Sequence, residues 1–208
     1  RLKNGHTITA HCPNTGSMAG CCEPGCLVYL SRSDNPHRAL PYTVELTRMN
    51  TTLVGVNTMV PNRLVTASII AGLVPPLAGY STLQREVRCG EDSRIDLLLE
   101  NGKERCYVEI KNCTLVVGRT AYFPDAVSRR GLKHLHQLEE QVEAGNRCVM
   151  FYLVQRMDAG EFRPADHIDP AYGRALRRVC RRGVEIMVYD TRIDLTTIEL
   201  NKQLPYAL

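Results

Sequence analysis

The stretch SRIDLLLENGKERCYVEIKNC, from Ser93 to Cys113, constrains the fold of this chain more than any other. Two strand-like runs, 94–100 and 105–112, flank the hairpin signal Asn101-Gly102. Side chains alternate faces along a strand, so Glu109 and Lys111 share one face while Val108 and Ile110 share the other. A loop over 101–104 sets Glu100 opposite Arg105. The same register sets Leu99 opposite Cys106, Leu97 opposite Val108, Ile95 opposite Ile110 and Asp96 opposite Glu109. A slip of one residue would bury Asp96 among apolar groups, so the hydrophobic pattern resists it. A two-residue loop keeps the same faces. The hairpin is therefore expected to gather Asp96, Glu109 and Lys111 on one side.

Two carboxylates and a lysine at that spacing have a chemical use. Carboxylate oxygens suit a hard divalent cation such as Mg²⁺ or Mn²⁺, which takes one or two protein carboxylates beside water and phosphate. A lysine can orient or help deprotonate an attacking water while the cation stabilises charge at phosphorus. The pattern D-x12-E-x-K is short, however, and a solvated hairpin face with Glu–Lys pairing would read the same way.

Size and charge set the frame. A chain of 208 residues can form one or two domains, and its 44% apolar and 23% charged residues are ordinary for a globular protein. The net charge of +4 permits nucleic acid as a partner without requiring it. Nine cysteines are an odd number, and most sit among apolar strand-like residues. That suits buried free thiols in a reducing cytoplasm better than a disulfide framework. No signal peptide or membrane span is apparent. Cys12, Cys21, Cys22 and Cys26, with His6 and His11, lack the paired knuckles of a zinc module.

Residues 1–55 read as short strands broken by turns: alternation over His6–His11, a turn at Pro13–Gly16, then strands over 26–31 and 42–49. Such strands close naturally into a small barrel. The barrel is expected to lack an N-terminal strand region, because Arg1 leads at once into strand-like sequence. From Val56 onward the pattern changes. A helix runs to about Ala71 from Asn57 or Pro61-Asn62, and strands follow at 83–89 and in the hairpin. Ser128 caps a helix to about Ala144, 148–155 is a buried strand, Asp169-Pro170 opens a helix to Arg182, and 184–189 is the last strand. This αβββαβαβ order predicts a mixed sheet with helices around it over residues 56–208.

Two helices carry basic stripes. Arg174, Arg177, Arg178 and Arg181 recur at helical spacing, and Arg129, Lys133 and His136 do so at the start of the preceding helix, whose N–H groups point outward. Basic faces suit a phosphate backbone, although solvated surface looks alike. Tyr29 and Tyr42 are the sole aromatics of the presumed barrel, which favours backbone contact over base stacking.

Longer motifs carry a resemblance. His11-Cys12-Pro13-Asn14-Thr15-Gly16-Ser17-Met18, Gly55-Val56-Asn57-Thr58 and Pro61-Asn62-Arg63-Leu64 resemble segments of the sugar fermentation stimulation protein A family. In the family's order follow Ser93-Arg94-Ile95-Asp96, Val108–Asn112, Phe123–Val127, Arg130–Leu135, Leu153–Arg156 and Asp169-Pro170. The resemblance implies an α/β (mixed) chain, with an N-terminal OB-like β-barrel followed by a PD-(D/E)xK nuclease-like αβββαβ domain. It further implies DNA binding without sequence preference, a role in sugar (maltose) catabolism and transcription regulation, and no membrane partner; a homodimer is compatible with it. The superfamily's acid–acid–lysine triplet falls on Asp96, Glu109 and Lys111. Metal would then be held by Asp96, Glu109 and the carbonyl of Ile110, with Arg129 or His134 on the scissile phosphate. Asp125 and Gln155 are weaker candidates. One departure stands out: the first core helix carries no carboxylate, with Ala67 or Ser68 at the expected place, and Glu86 would substitute in one register only.

Overall fold

The hairpin forms where the sequence puts it. In the computed structural model, which describes residues 1–90 and 93–208, strand β5 (Arg94–Asn101) pairs antiparallel with β6 (Glu104–Cys113). Leu97 faces Val108, Leu99 faces Cys106 and Glu100 faces Arg105, as expected. Asn101 pairs with Glu104, so the turn is the two-residue one, with Gly102 at φ +60°.

One part of the expected register fails. The ladder ends at Leu97–Val108, so neither Asp96 with Glu109 nor Ile95 with Ile110 forms the expected pair. The backbone N–H of Ile110 donates instead to the Asp96 carboxylate, at 2.7 Å. A side chain has taken the place of a ladder carbonyl. Beyond that point the strand's faces exchange: Ile95 joins the core beneath helices α2 and α3 (Arg129–Glu143 and Pro170–Arg181), whereas Leu97, Leu99 and Ile110 join the core beneath helix α1 (Val60–Ile70).

Around the hairpin lies a six-stranded sheet in the order β12-β11-β9-β6-β5-β4. Here β4 is Thr82–Arg88, β9 is Arg147–Val154, β11 is Glu185–Ile193 and β12 is Ile198–Gln203. β9 is parallel to both β6 and β11, and the remaining pairs are antiparallel. Every residue of β9 from Cys148 to Val154 is fully buried, as a central strand with both faces covered must be. Helix α1 lies on one face and α2 with α3 on the other. Each helix starts as its sequence specifies. Pro61 sits in the first turn of α1, the Ser128 hydroxyl accepts from Gly131 N–H, and the Asp169 carboxylate accepts from Tyr172 N–H.

Four strands of this part escaped the sequence reading. β7 (Leu115–Val117), β8 (Thr120–Phe123) and β10 (Glu161–Pro164) form a small separate sheet in the order β10-β8-β7. β12 follows the strand expected to be last and closes one edge of the main sheet. Its sequence IELNKQ is mostly exposed and polar, so it has no apolar alternation to betray it.

The N-terminal part contains a three-stranded antiparallel sheet, β1 (Leu27–Arg32), β2 (Tyr42–Met49) and β3 (Thr52–Gly55). Residues 6–11 do not form the expected strand. Only His11 joins the sheet, exchanging 2.8 Å backbone bonds with Tyr42 and Val44, and the segment is largely exposed. With only Ile8 and the small Ala10 as aliphatic residues, it offers no sizeable apolar face to bury. Cys21 is fully buried and Cys22 beside it is exposed, so adjacent thiols point apart; burial pushes the Cys21 thiol up to about 11.

The two parts meet through Gln155 and Arg156. The Gln155 backbone carbonyl accepts from Gly55 N–H at 2.9 Å, and its side-chain amide donates to Gly55 O and to Asn112 Oδ1. Arg156 donates to the carbonyls of Gly20 and Thr114. Asp125 accepts from the Ser17 hydroxyl and from Met18 N–H. Asp125 and Gln155, weighed above as site residues, therefore serve here as partners of the N-terminal part.

Candidate metal and nucleic-acid site

The centre is assembled by four elements: β5, β6, α1 and α2. Glu109 is 1% exposed, on the side of β6 that faces α2. Its Oε1 accepts from Lys111 Nζ at 2.5 Å and from His134 Nδ1, and Lys111 Nζ lies 3.1 Å from that same ring nitrogen. A carboxylate only accepts and a guanidinium only donates. Nδ1 therefore carries the hydrogen toward Glu109, and Nε2 accepts the long 3.4 Å bond from Arg130 Nε. The Lys111 side chain is 14% exposed, enough to reach an incoming molecule.

Asp96 holds the other side. Its Oδ2 accepts from Ile110 N–H and its Oδ1 from the Asn62 amide of α1, each at 2.7 Å. Burial first, and then the charge of Glu109, raises the Asp96 pKa to about 6. Burial pushes Glu109 upward too, but Lys111 and the His134 bond outweigh it and hold this carboxyl below the ordinary glutamate range. The two acids are thus driven apart in proton affinity.

Glu109 Oε2 is buried and has no hydrogen-bond partner among the described residues. A buried carboxylate oxygen left unpaired is expensive, and a water or a cation would satisfy it. Among the described residues no three His, Cys, Asp or Glu side chains come together as a metal site, so the candidate set is this carboxylate pair. The residues fit a hard cation that keeps several waters of its own.

The helix position that matters is not the one expected. Ala67 is exposed, and it is Asn62, in the first turn of α1, that reaches Asp96. Asn62 lies within a family-like motif, but an amide gives no acid signal. Glu86 lies on β4 between residues paired with Leu97 and Ile95, level with Asp96, yet it is exposed and holds a left-handed φ of +54°. That backbone is uncommon for glutamate and marks a local kink in the edge strand.

Beside the centre opens a cleft of about 770 Å³ lined by Glu86, Arg88, Ser93, Arg94, Arg129, Arg130, Lys133 and His134. Five cationic side chains face one glutamate. Arg88 and Arg94 have no sequence periodicity to link them with α2; the β4–β5 pairing brings them there. His134 is 5% exposed and engaged with Glu109, so its expected place on a scissile phosphate gives way to a place behind the carboxylate.

The second stripe meets the first at His136, whose Nδ1 lies 3.4 Å from Arg178 Nη2, and stands apart from the cleft that Arg129 and Lys133 line. Arg174, Arg177, Arg178 and Arg181 line a separate groove with Leu132 and His136, sharing no residue with the cleft. Two of the four are already paired, Arg177 with Asp166 and Arg178 with Glu139. Their sequence spacing showed the stripe but not the acids opposite.

The core order α1-β4-β5-β6-α2-β9 is the αβββαβ arrangement, so the fold is that of a nuclease-like mixed α/β domain preceded by an OB-type domain. Residues 59–197 match the family described as "Sugar fermentation stimulation protein RE domain", and residues 1–56 match "SfsA N-terminal OB domain". The chain belongs to the sugar fermentation stimulation protein family. It is 53% identical over 205 residues to the homolog from Geobacter sulfurreducens, covering 99% of this chain and 88% of that one. To the homolog from Nitrosococcus oceani it is 49% identical over 211 residues, covering 100% and 90%. Its fold is similar to that of Pyrococcus furiosus SfsA, solved in complex with Ca²⁺, with a TM-score of 0.91 at 25% identity, covering 99% of this chain and 88% of that one. No helix of the described residues is long and apolar enough to cross a membrane.

Proposed function

We propose that this protein binds DNA by its phosphate backbone, without strong sequence preference, in the cleft beside a divalent-cation centre. The observation that carries this reading is His134, a residue of the basic cleft's lining whose ring bonds Glu109 of the acidic centre. Anion-binding and cation-binding groups thus meet at one wall. Arg88, Arg94, Arg129, Arg130 and Lys133 would neutralise phosphates, which makes binding steeply salt-dependent. Asp96, Glu109 and the Ile110 carbonyl would hold Mg²⁺ or Mn²⁺. The Ca²⁺ named for the Pyrococcus furiosus relative supports a cation in this family. Any part in sugar catabolism or transcription would act through this DNA contact.

A second reading, phosphodiester hydrolysis, is favoured by Lys111. Its ammonium is anchored on Glu109 and still reaches solvent, so it can hold a water or a non-bridging phosphate oxygen in place. A bound divalent cation would supply neutralisation of phosphate charge and a more acidic water. The experiment is to incubate the protein with plasmid or single-stranded DNA and Mg²⁺ or Mn²⁺, beside an Asp96→Ala/Lys111→Ala variant. Cleavage by the unaltered protein alone establishes hydrolysis. Retention of DNA by both proteins without cleavage leaves a binding module on a nuclease-type scaffold. No retention at low salt overturns the DNA reading.

A further inference from the structure

Both neighbours of Glu109 take the same oxygen. Lys111 and His134 converge on Oε1, and Oε2 is left buried and unpartnered. A lysine ammonium alone does not enforce that choice, because its three rotatable donors would follow either oxygen as the carboxylate turned. An imidazole held on a helix does enforce it. The His134 ring is 5% exposed, is fixed on α2, and has its other nitrogen engaged by Arg130. With Nε2 accepting from Arg130, the hydrogen must sit on Nδ1, the nitrogen aimed at Glu109.

We infer that His134 is a positioning residue: by occupying Oε1 of Glu109 it keeps Oε2 as the oxygen presented to a divalent cation. This rests on the cation reading of the same centre given above. It assigns His134 a role different from phosphate contact, and it makes Arg130 the residue that joins the cation centre to the cleft. An arginine that leaves His134 to grip a phosphate would remove the restraint on Nε2 but not the Nδ1 bond to Glu109. The carboxylate's orientation therefore survives occupation of the cleft.

The test is titration calorimetry of Mn²⁺ into the full chain and three variants, with thermal melting of each in chelator to confirm folding. His134→Phe keeps ring volume and removes both nitrogens. His134→Asn can place a donor near Nδ1, and His134→Gln places one near Nε2. Outer-shell partners of ligands typically change metal affinity by about 10–100-fold. The expected result is a loss of that size in His134→Phe and His134→Gln, with His134→Asn recovering to within a few-fold of the unaltered chain. Equal affinity in all four proteins, with binding abolished in Glu109→Ala, overturns the inference while the cation reading stands. Absence of Mn²⁺ binding by the unaltered chain overturns both. Should His134→Phe fail to melt cooperatively, the Asn and Gln pair decides: equal affinity in those two also overturns the inference.

Discussion

The side-chain amide of Asn62 donates a 2.7 Å hydrogen bond to Asp96, so helix α1 brings an amide and not a carboxylate to this centre. That choice sets the electrostatics of the centre. An amide donor eases the charge of a half-buried aspartate, whereas a third carboxylate would add to it.

Asn62→Asp should restore a three-acid centre. Two carboxylates at hydrogen-bond distance repel when both are ionised, so the variant should melt lower than the parent in chelator. In Mg²⁺ or Mn²⁺ the order should reverse, with cation binding tighter by about an order of magnitude because one more charged oxygen is in reach. Melting curves with and without cation check this, and an unchanged cation dependence would contradict it.

Asp96 gives the centre a definite pH signature. Its pKa rises from 3.8 to about 6 on folding, so the folded chain favours the protonated acid. Its contribution to stability is present below the unfolded value and is lost as pH rises through about 6. Glu109, held below its ordinary value, works in the opposite sense at acid pH. Asp96→Asn removes the ionised form while retaining one acceptor for Ile110 N–H. In chelator at pH 8 it should therefore stabilise the chain by about 1–2 kcal/mol, and the gain should vanish near pH 4. Denaturant midpoints across that range are the measurement.

The junction of the two parts is tight at Gly55. A Cβ there would lie 2.5 Å from Gln155 Oε1 and 2.7 Å from its Cδ. Gly55→Ala should destabilise the protein by about 1–3 kcal/mol, the range typical of overpacking. Gly55→Ala/Gln155→Ala should recover part of that loss in a double-mutant cycle, whereas simple additivity of the two changes would contradict the contact.

For DNA, the cleft should outweigh the α3 groove. Arg94→Ala and Arg129→Ala should each weaken binding across all sequences and reduce the salt slope by about 1. Arg177→Ala should do less, since its guanidinium already pairs with Asp166 at 2.8 and 2.5 Å. Anisotropy titrations of labelled duplexes over a salt series separate the two surfaces.

The hairpin was legible because apolar alternation, a turn dipeptide and flanking strands all agreed on one register, which holds from Leu97 to Asn101. Helix starts were legible for a similar reason, since Ser128 and Asp169 are caps that act locally. What escaped depends on distant partners. The break at Asp96 arises because its side chain competes for the Ile110 N–H, which no periodicity records. β7, β8, β10 and β12 are short or polar and exist by pairing with other strands. Asp96, Glu109 and Lys111 could be read as one group, but the contacts of Asn62 with Asp96 and of His134 with Glu109 come from helices packed across the sheet, and Arg88 and Arg94 enter the neighbouring cleft through the β4–β5 pairing.

The cation proposed to be held by Asp96 and Glu109 at the wall of the basic cleft can be located by affinity cleavage. Fe²⁺ placed in the site with ascorbate and peroxide generates radicals that cut nearby backbone. The expected cuts fall in β5 near Asp96 and in β6 near Glu109-Ile110, are suppressed by excess Mg²⁺ and are absent in Asp96→Asn/Glu109→Gln. Cuts elsewhere, or cuts indifferent to those substitutions, would contradict that placement.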